Sequence, residues 1–212
     1  MTLEEAIAKI KPLDHNAMEI AQKRWDSIAK PLHSLGKLET LLIQIAGITG
    51  NAEVDLSRRG LIAMCADNGV VEEGVTQTGQ EVTAIVAENF LKYDTSVGVM
   101  CKQNHAEIFP VDMGMVTDTK VRTDHKIAYG TQNMTKGPAM TREQAVKGLE
   151  AGIDMVRELN DKGYRILATG EMGIGNTTTS SAVASVLLKQ PVEEMTGRGA
   201  GLTSEGLVRK IN

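Results

Sequence analysis

"YRILATGEMGIGNTTTSSAVASVLL", residues 164–188, decides the fold. A short apolar run closes on a glycine and a carboxylate, further glycines make a tight turn, and a helical pattern opens near Asn176 to Thr179. Strand, turn and helix in that order is the unit from which parallel α/β sheets are assembled. The glycines have the look of a phosphate-binding turn. Yet Gly173, Gly175 and Thr178 miss the dinucleotide spacing G-x-G-x-x-G, and no Lys-Ser/Thr pair follows as a P-loop requires.

Two earlier runs close in the same manner, "LIAMCADNG" (61–69) and "EIFPVDMG" (107–114). Runs this short and apolar on both faces fit strands of a parallel sheet covered from both sides. Helical patterns separate them. Residues 80–104 connect the first two, and "MTREQAVKGLEAGIDMVRELNDKG" (140–163) precedes the third. In the latter, Thr141 and Gln144 spell a capping box, Ala145, Leu149, Ile153, Val156 and Leu159 are expected on one face, and Gly163 supplies the stop. The alternation predicts a doubly wound parallel sheet with helices on both faces and right-handed crossovers. Such sheets bind ligands beyond the carboxyl ends of their strands, which places Asp67, Asn68, Asp112 and Glu171 at one edge.

Upstream, residues 1 to about 30 read as amphipathic helix, with Ile7, Ile10, Met18, Ile20 and Ala21 as buried candidates, a break at Pro12 and a stop before Pro31. "GKLETLLIQIAGITG" (36–50) is a further helix that ends at Gly50 and is expected to pack against the main domain through Leu38, Leu41, Leu42, Ile45 and Ile48. The division expected is a helical appendage, 1–35, and an α/β mononucleotide-binding domain, 36–212. The last residues, "TSEGLVRKIN", let Ser204 cap a helix over 205–212, so the chain is expected to stop inside an element and to be incomplete at that end.

A net charge of −4 with only 3% aromatic residues offers neither a basic face nor stacking rings, which argues against nucleic acid. The charge-studded N-terminus is neither signal peptide nor membrane span, and a cytoplasmic protein is expected. Cys65 and Cys101 read as buried thiols, and His15, His33, His105 and His125 lack the paired spacing of a zinc motif, so no metal is expected.

The chemistry then concentrates in three loops. The helix start after Gly173 and Gly175 offers backbone N–H groups, a helix dipole and the side chains of Asn176, Thr177 and Thr178 to an anion, with Glu171 at the same strand end. "TGRGAGLTSEG" (196–206) is a second glycine loop before a helix, with Arg198 either an anion ligand or a solvated charge. "ADNGVVEEGVTQTGQEVT" (66–83) sets Thr76, Gln77, Thr78 and Gln80 beside Val70, Val71 and Val75. That loop suits a flat heterocycle, or its Thr78 caps the helix that follows. Residues 117–140 are polar and irregular, long enough for an active-site loop.

Six stretches, "KPLHSLGKLE" (30–39), residues 66–83, "PVDMGM" (110–115), "GPAMTREQA" (137–145), "GEMGIGNTTTSSA" (170–182) and "GRGAGLTSEGLVRK" (197–210), resemble in order and spacing the nicotinate-nucleotide–dimethylbenzimidazole phosphoribosyltransferase family from about residue 20 onward. The resemblance implies transfer of phosphoribose from nicotinate mononucleotide to 5,6-dimethylbenzimidazole or a related base in cobalamin nucleotide-loop assembly, giving α-ribazole 5′-phosphate and nicotinate. It implies small-molecule partners, no cofactor and, with the helical N-terminus, a homodimer. Carried over by position, Glu171 is the acidic residue near the ribose, Gly173, Asn176 and Thr177 belong to the phosphate turn, Gly199 and Ala200 to the second loop, Lys210 is a lysine near the phosphate, and Thr78 lines the base pocket. The family's catalytic glutamate lies in a C-terminal third with no counterpart before Asn212, leaving Glu171 as the supporting candidate here. Thr76-Gln77-Thr78-Gly79 replaces a common Ser-Ala-Tyr-Pro, and Leu32-His33 a common Pro-Gly. The alternatives are a non-catalytic mononucleotide-binding module that needs a further segment or subunit, and an ordinary dinucleotide enzyme, against which the glycine spacing speaks.

Overall fold

The computed structural model describes residues 1–212, and the chain divides into two compact units, Met1–Arg58 and Arg59–Asn212. In the first, α1 (Leu3–Ala8) begins with a capping box between Thr2 and Glu5. Pro12 separates it from α2 (His15–Ser27), whose first turn is capped by Asp14 accepting from the Ala17 N–H at 2.9 Å. The third helix, α3 (Lys37–Thr49), ends on Gly50 in the left-handed region.

Small residues, not the large aliphatics, make the α2–α3 contact. Ala17, Ala21, Ala46 and Gly47 are buried, whereas Ile7, Ile10, Ile20, Leu38, Leu41 and Ile48 are exposed. A Cβ on Gly47 would stand 2.7 Å from the Met18 side chain, so close approach of the two helices excludes a larger residue there. The expected boundary at residue 35 falls between α2 and α3, which pack on each other within the first unit. Glu39, only 3% exposed, is paired with Lys30 at 3.0 Å and accepts the Leu35 N–H.

The second unit is built on three parallel strands, β1 (Arg59–Ala66), β2 (Ala106–Gly114) and β3 (Ile166–Met172), in the order β2-β1-β3. Between β1 and β2 run α4 (Glu81–Lys92) and α5 (Ser96–Gln103), and between β2 and β3 runs α6 (Arg142–Asp161). Alternation along β1 sends Ala63 and Cys65 to one face with Ala84, Ala87 and Phe90 of α4, and Ile62 to the other with Met155 and Leu159 of α6. Both faces of the central strand are therefore covered, as its uninterrupted apolar run requires. Cys65 is fully buried and desolvation pushes its thiol up to about 12, which leaves it an inert packing group.

The buried face of α6 is rotated from the expected one. Leu159 is buried as expected, but its buried companions are Ala151 and Met155, spaced by four residues, whereas Leu149 and Val156 are exposed. The apolar arc of this helix is wider than its contact with the sheet, which Met155 and Leu159 make. The capping box of Thr141 and Gln144 and the left-handed Gly163 stand where the spacing puts them.

Because the chain leaves β1 for β2 on one face and returns past it to β3 on the other, the order reverses at β1/β3. A crevice opens at the carboxyl ends there. After β3 come α7 (Asn176–Leu188), α8 (Val192–Met195) and α9 (Ser204–Ile211). No helix is long and apolar enough to cross a membrane.

Candidate functional site

The turn after β3 leans directly on the end of β1. A Cβ at Gly173 would collide with the Ala66 carbonyl oxygen, so only glycine admits that approach. Asn68 then braces the turn, its Nδ2 donating to the Ile174 carbonyl at 3.1 Å, while the Ile174 N–H donates to the hydroxyl of fully buried Thr83 at 3.0 Å. Gly175, at φ +90°, is the N-cap of α7 and offers no side-chain oxygen. The Asn176 and Thr178 N–H groups turn back onto the Gly173 and Gly175 carbonyls, at 3.0 and 2.9 Å. The Thr177 N–H between them and the positive end of the helix dipole are thus left for a ligand.

Facing them is the second glycine loop. A Cβ on Gly199 (φ +58°) would fall 2.6 Å from the Thr177 hydroxyl oxygen, which places this loop against the first turn of α7. Thr203 caps α9 by accepting the Gly206 N–H at 3.1 Å, one residue before the expected Ser204. Ser204 instead accepts from Arg198, whose guanidinium also donates to the Leu202 carbonyl at 2.8 Å. Arg198 is therefore engaged by its own loop.

Lys210 projects from the last turn of α9 into this junction. Its Nζ donates to the Thr177 hydroxyl at 2.8 Å and to the Gly197 carbonyl at 3.0 Å, and it is only 8% exposed. No carboxylate pairs with it, and loss of water holds its pKa below the ordinary lysine value. The positive charge of this ammonium is therefore met by neutral acceptors alone.

The third wall is the loop after β1. Val75 is buried, Thr76 donates to the Thr78 carbonyl, and Gln80 donates to the Asn68 carbonyl at 3.0 Å. Thr78 caps nothing: Gln80 is the N-cap of α4, and its side chain makes no capping bond. Together the three segments enclose a cavity of about 280 Å³ lined by Thr78, Gly173, Gly175, Asn176, Thr177, Gly199 and Ala200, with Val75, Met172 and Leu202 as apolar wall.

Glu171, at the end of β3, is exposed as a residue, yet protein crowding its carboxyl raises its pKa above the usual carboxylate range, against a smaller lowering by a hydrogen bond from Asn176. It sits next to the wall, available as a proton acceptor. Asp67, Asn68 and Lys210 are not in the cavity lining, Lys210 meeting it through its bond to Thr177. Asp67 is fully buried, with Oδ2 accepting the Val116 N–H at 2.8 Å, and Asp112 accepts the N–H groups of Gly114 and Met115. These carboxylates hold the loop after β2.

Sequence reasoning passed over Thr83 and Arg209. Thr83 acts on Ile174, 91 residues away, and Arg209 reaches the Gly74 carbonyl across 135 residues at 3.1 Å. No local pattern announces either bond. A larger cavity, about 490 Å³, lies within the first unit beside Trp25, Ile28 and Leu42, but it has no glycine turn and no unpaired buried charge.

A phosphoribosyltransferase family profile matches residues 10–212. The nicotinate-nucleotide–dimethylbenzimidazole phosphoribosyltransferase of Ruminiclostridium cellulolyticum is 51% identical over 213 residues, covering 100% of this chain and 60% of its own length. The protein of the same name from Clostridium tetani is 47% identical, covering 98% of this chain and 58% of its own. The crystal structure of CobT from Thermus thermophilus superposes with a TM-score of 0.83 at 36% identity, covering 92% of this chain and 60% of that one. The chain spans about 60% of the length of the curated relatives it matches.

Proposed function

The chain belongs to the phosphoribosyltransferase family represented by these nicotinate-nucleotide–dimethylbenzimidazole enzymes, and from that membership we propose that its cavity binds nicotinate mononucleotide and serves transfer of the phosphoribosyl group to 5,6-dimethylbenzimidazole or a related base. The observation that carries the reading is Lys210, a buried cation without a counter-charge between two glycine turns and a helix start with no side-chain cap. In this reading the 5′-phosphate occupies the position between Lys210, the Gly199–Ala200 backbone and the first turn of α7. Thr78 and Val75 flank the base, and Glu171 faces the ribose.

The chemistry asks little of the protein beyond placement. A ring nitrogen of the incoming base attacks C1′ as the glycosidic bond to the pyridinium breaks, its electron pair neutralising the ring and releasing nicotinate. Attack from the opposite face gives α-ribazole 5′-phosphate, and the proton on the other ring nitrogen passes to a carboxylate. Glu171, its pKa already raised, is the candidate acceptor in this chain. No cofactor takes part in these steps. A cytoplasmic homodimer fits the reading.

A second reading has its own support: with about 60% of its relatives' length, the chain is a mononucleotide-binding portion that turns over only with a further segment or subunit. Incubation with both substrates, following nicotinate and α-ribazole phosphate by chromatography, separates the two. Product above the protein-free control supports the enzyme. Nucleotide binding without product supports the binding portion, and neither binding nor product defeats both.

A further inference from the structure

We propose that Gln77 and Arg209 are positioning residues that clamp the base loop to the anion seat, so that an anion bound at Lys210 tightens the site for the base. Two side-chain bonds join segments far apart in sequence. Arg209 donates to the Gly74 carbonyl at 3.1 Å, and the Gln77 amide donates to the Gly201 carbonyl. One bond enters the base loop just before buried Val75 and the other leaves it two residues after, so Val75 of the cavity's apolar wall lies between the two anchor points.

The far ends of the clamp meet at the anion seat. Arg209 and Lys210 are neighbours on α9: Lys210 bonds to Thr177 and Gly197, while Arg209, about 100° around the helix, reaches Gly74. An anion that fixes Lys210 fixes α9, and with it the guanidinium that donates to Gly74. Gly201 belongs to the same glycine loop, so its partner Gln77 is held by the same event. Both clamp residues are exposed, so each bond opens and recloses in water, and an anion on Lys210 holds both closed. Coupling of this kind is reciprocal: a bound base tightens the anion seat by the same factor.

The clamp rests on the phosphoribosyltransferase reading of the cavity, and the test separates the two. Inorganic phosphate serves as the anion, since it fills the seat without allowing turnover. 5,6-Dimethylbenzimidazole is titrated calorimetrically into the full 212-residue chain with and without saturating phosphate. The expected result is roughly three- to tenfold tighter binding of the base with phosphate present, reduced in Gln77→Ala and in Arg209→Met, lost in the double variant, and partly restored by Arg209→Lys, whose ammonium can still donate to Gly74. Amide exchange supplies a readout that needs no base: phosphate slows exchange at residues 74–78 in the unsubstituted chain and not in the double variant or in Arg209→Met. Coupling or protection that survives in the variants overturns the clamp, as does independent binding of both ligands to the unsubstituted chain. A chain that binds neither ligand defeats the reading of the cavity and the clamp together.

Discussion

Lys210 is a lysine that folding leaves without a counter-ion, and its substitution separates stability from binding. Lys210→Met keeps the length of the side chain and removes the charge. Affinity for inorganic phosphate or nicotinate mononucleotide should fall about ten- to a hundredfold, the loss expected for charge-assisted hydrogen bonds. Resistance to urea should stay level or rise by up to about 1 kcal/mol, because a desolvated charge disappears from the folded state. A less stable variant that binds normally would show that the ammonium is structural.

The pH dependence follows from the same group. Its folded pKa lies below the 10.5 of an ordinary lysine, so between the two values the folded chain holds fewer protons than the unfolded one. Its contribution to stability is therefore fully present above 10.5 and is lost as pH falls through the folded value. Urea midpoints of the native chain and of Lys210→Met should differ at neutral pH and converge near about pH 11. Equal separation at both values would mean that Lys210 titrates as it does in water.

At the level of elements, the glycines around the crevice are not equivalent. Gly173→Ala drives a methyl group into the Ala66 carbonyl, parting the ends of β1 and β3, and should cost about 2–4 kcal/mol and abolish phosphate binding. Gly197→Ala meets nothing within 4 Å and should stay within about 0.5 kcal/mol, since the carbonyl that Lys210 uses is retained. Urea denaturation of the pair checks both. Gly173 could be singled out from sequence because a glycine between a strand and a helix has few other uses. The strands and the doubly wound sheet were legible for a similar reason, since β1 must be covered on both faces to bury its run. What was not legible is register. The face of α6 is set by where the sheet touches it, so Met155 is buried and Leu149 is not. Arg198 and Arg209 both lie within a few residues of glycines, yet one closes its own loop and the other crosses to Gly74, a difference only tertiary packing can make.

For the molecule as a whole, β3 is an edge strand, and α7 beside it exposes Val183, Val186, Leu187 and Leu188. An unpaired edge next to an apolar helix invites association. Val186→Glu with Leu187→Lys should leave stability nearly unchanged and move the sedimentation of a concentrated solution toward the monomer; identical sedimentation would clear this face of the role. The pairing of β1 also dictates a timetable. Arg59 aligns with Ala106 and with Ile166, so the second partner strand arrives far later in synthesis than the first. A nascent chain that has left the ribosome as far as Gly163 has displayed β1 and β2 and none of the residues around Lys210. Binding competence arrives only with residues 164–212, after the longest loop has closed.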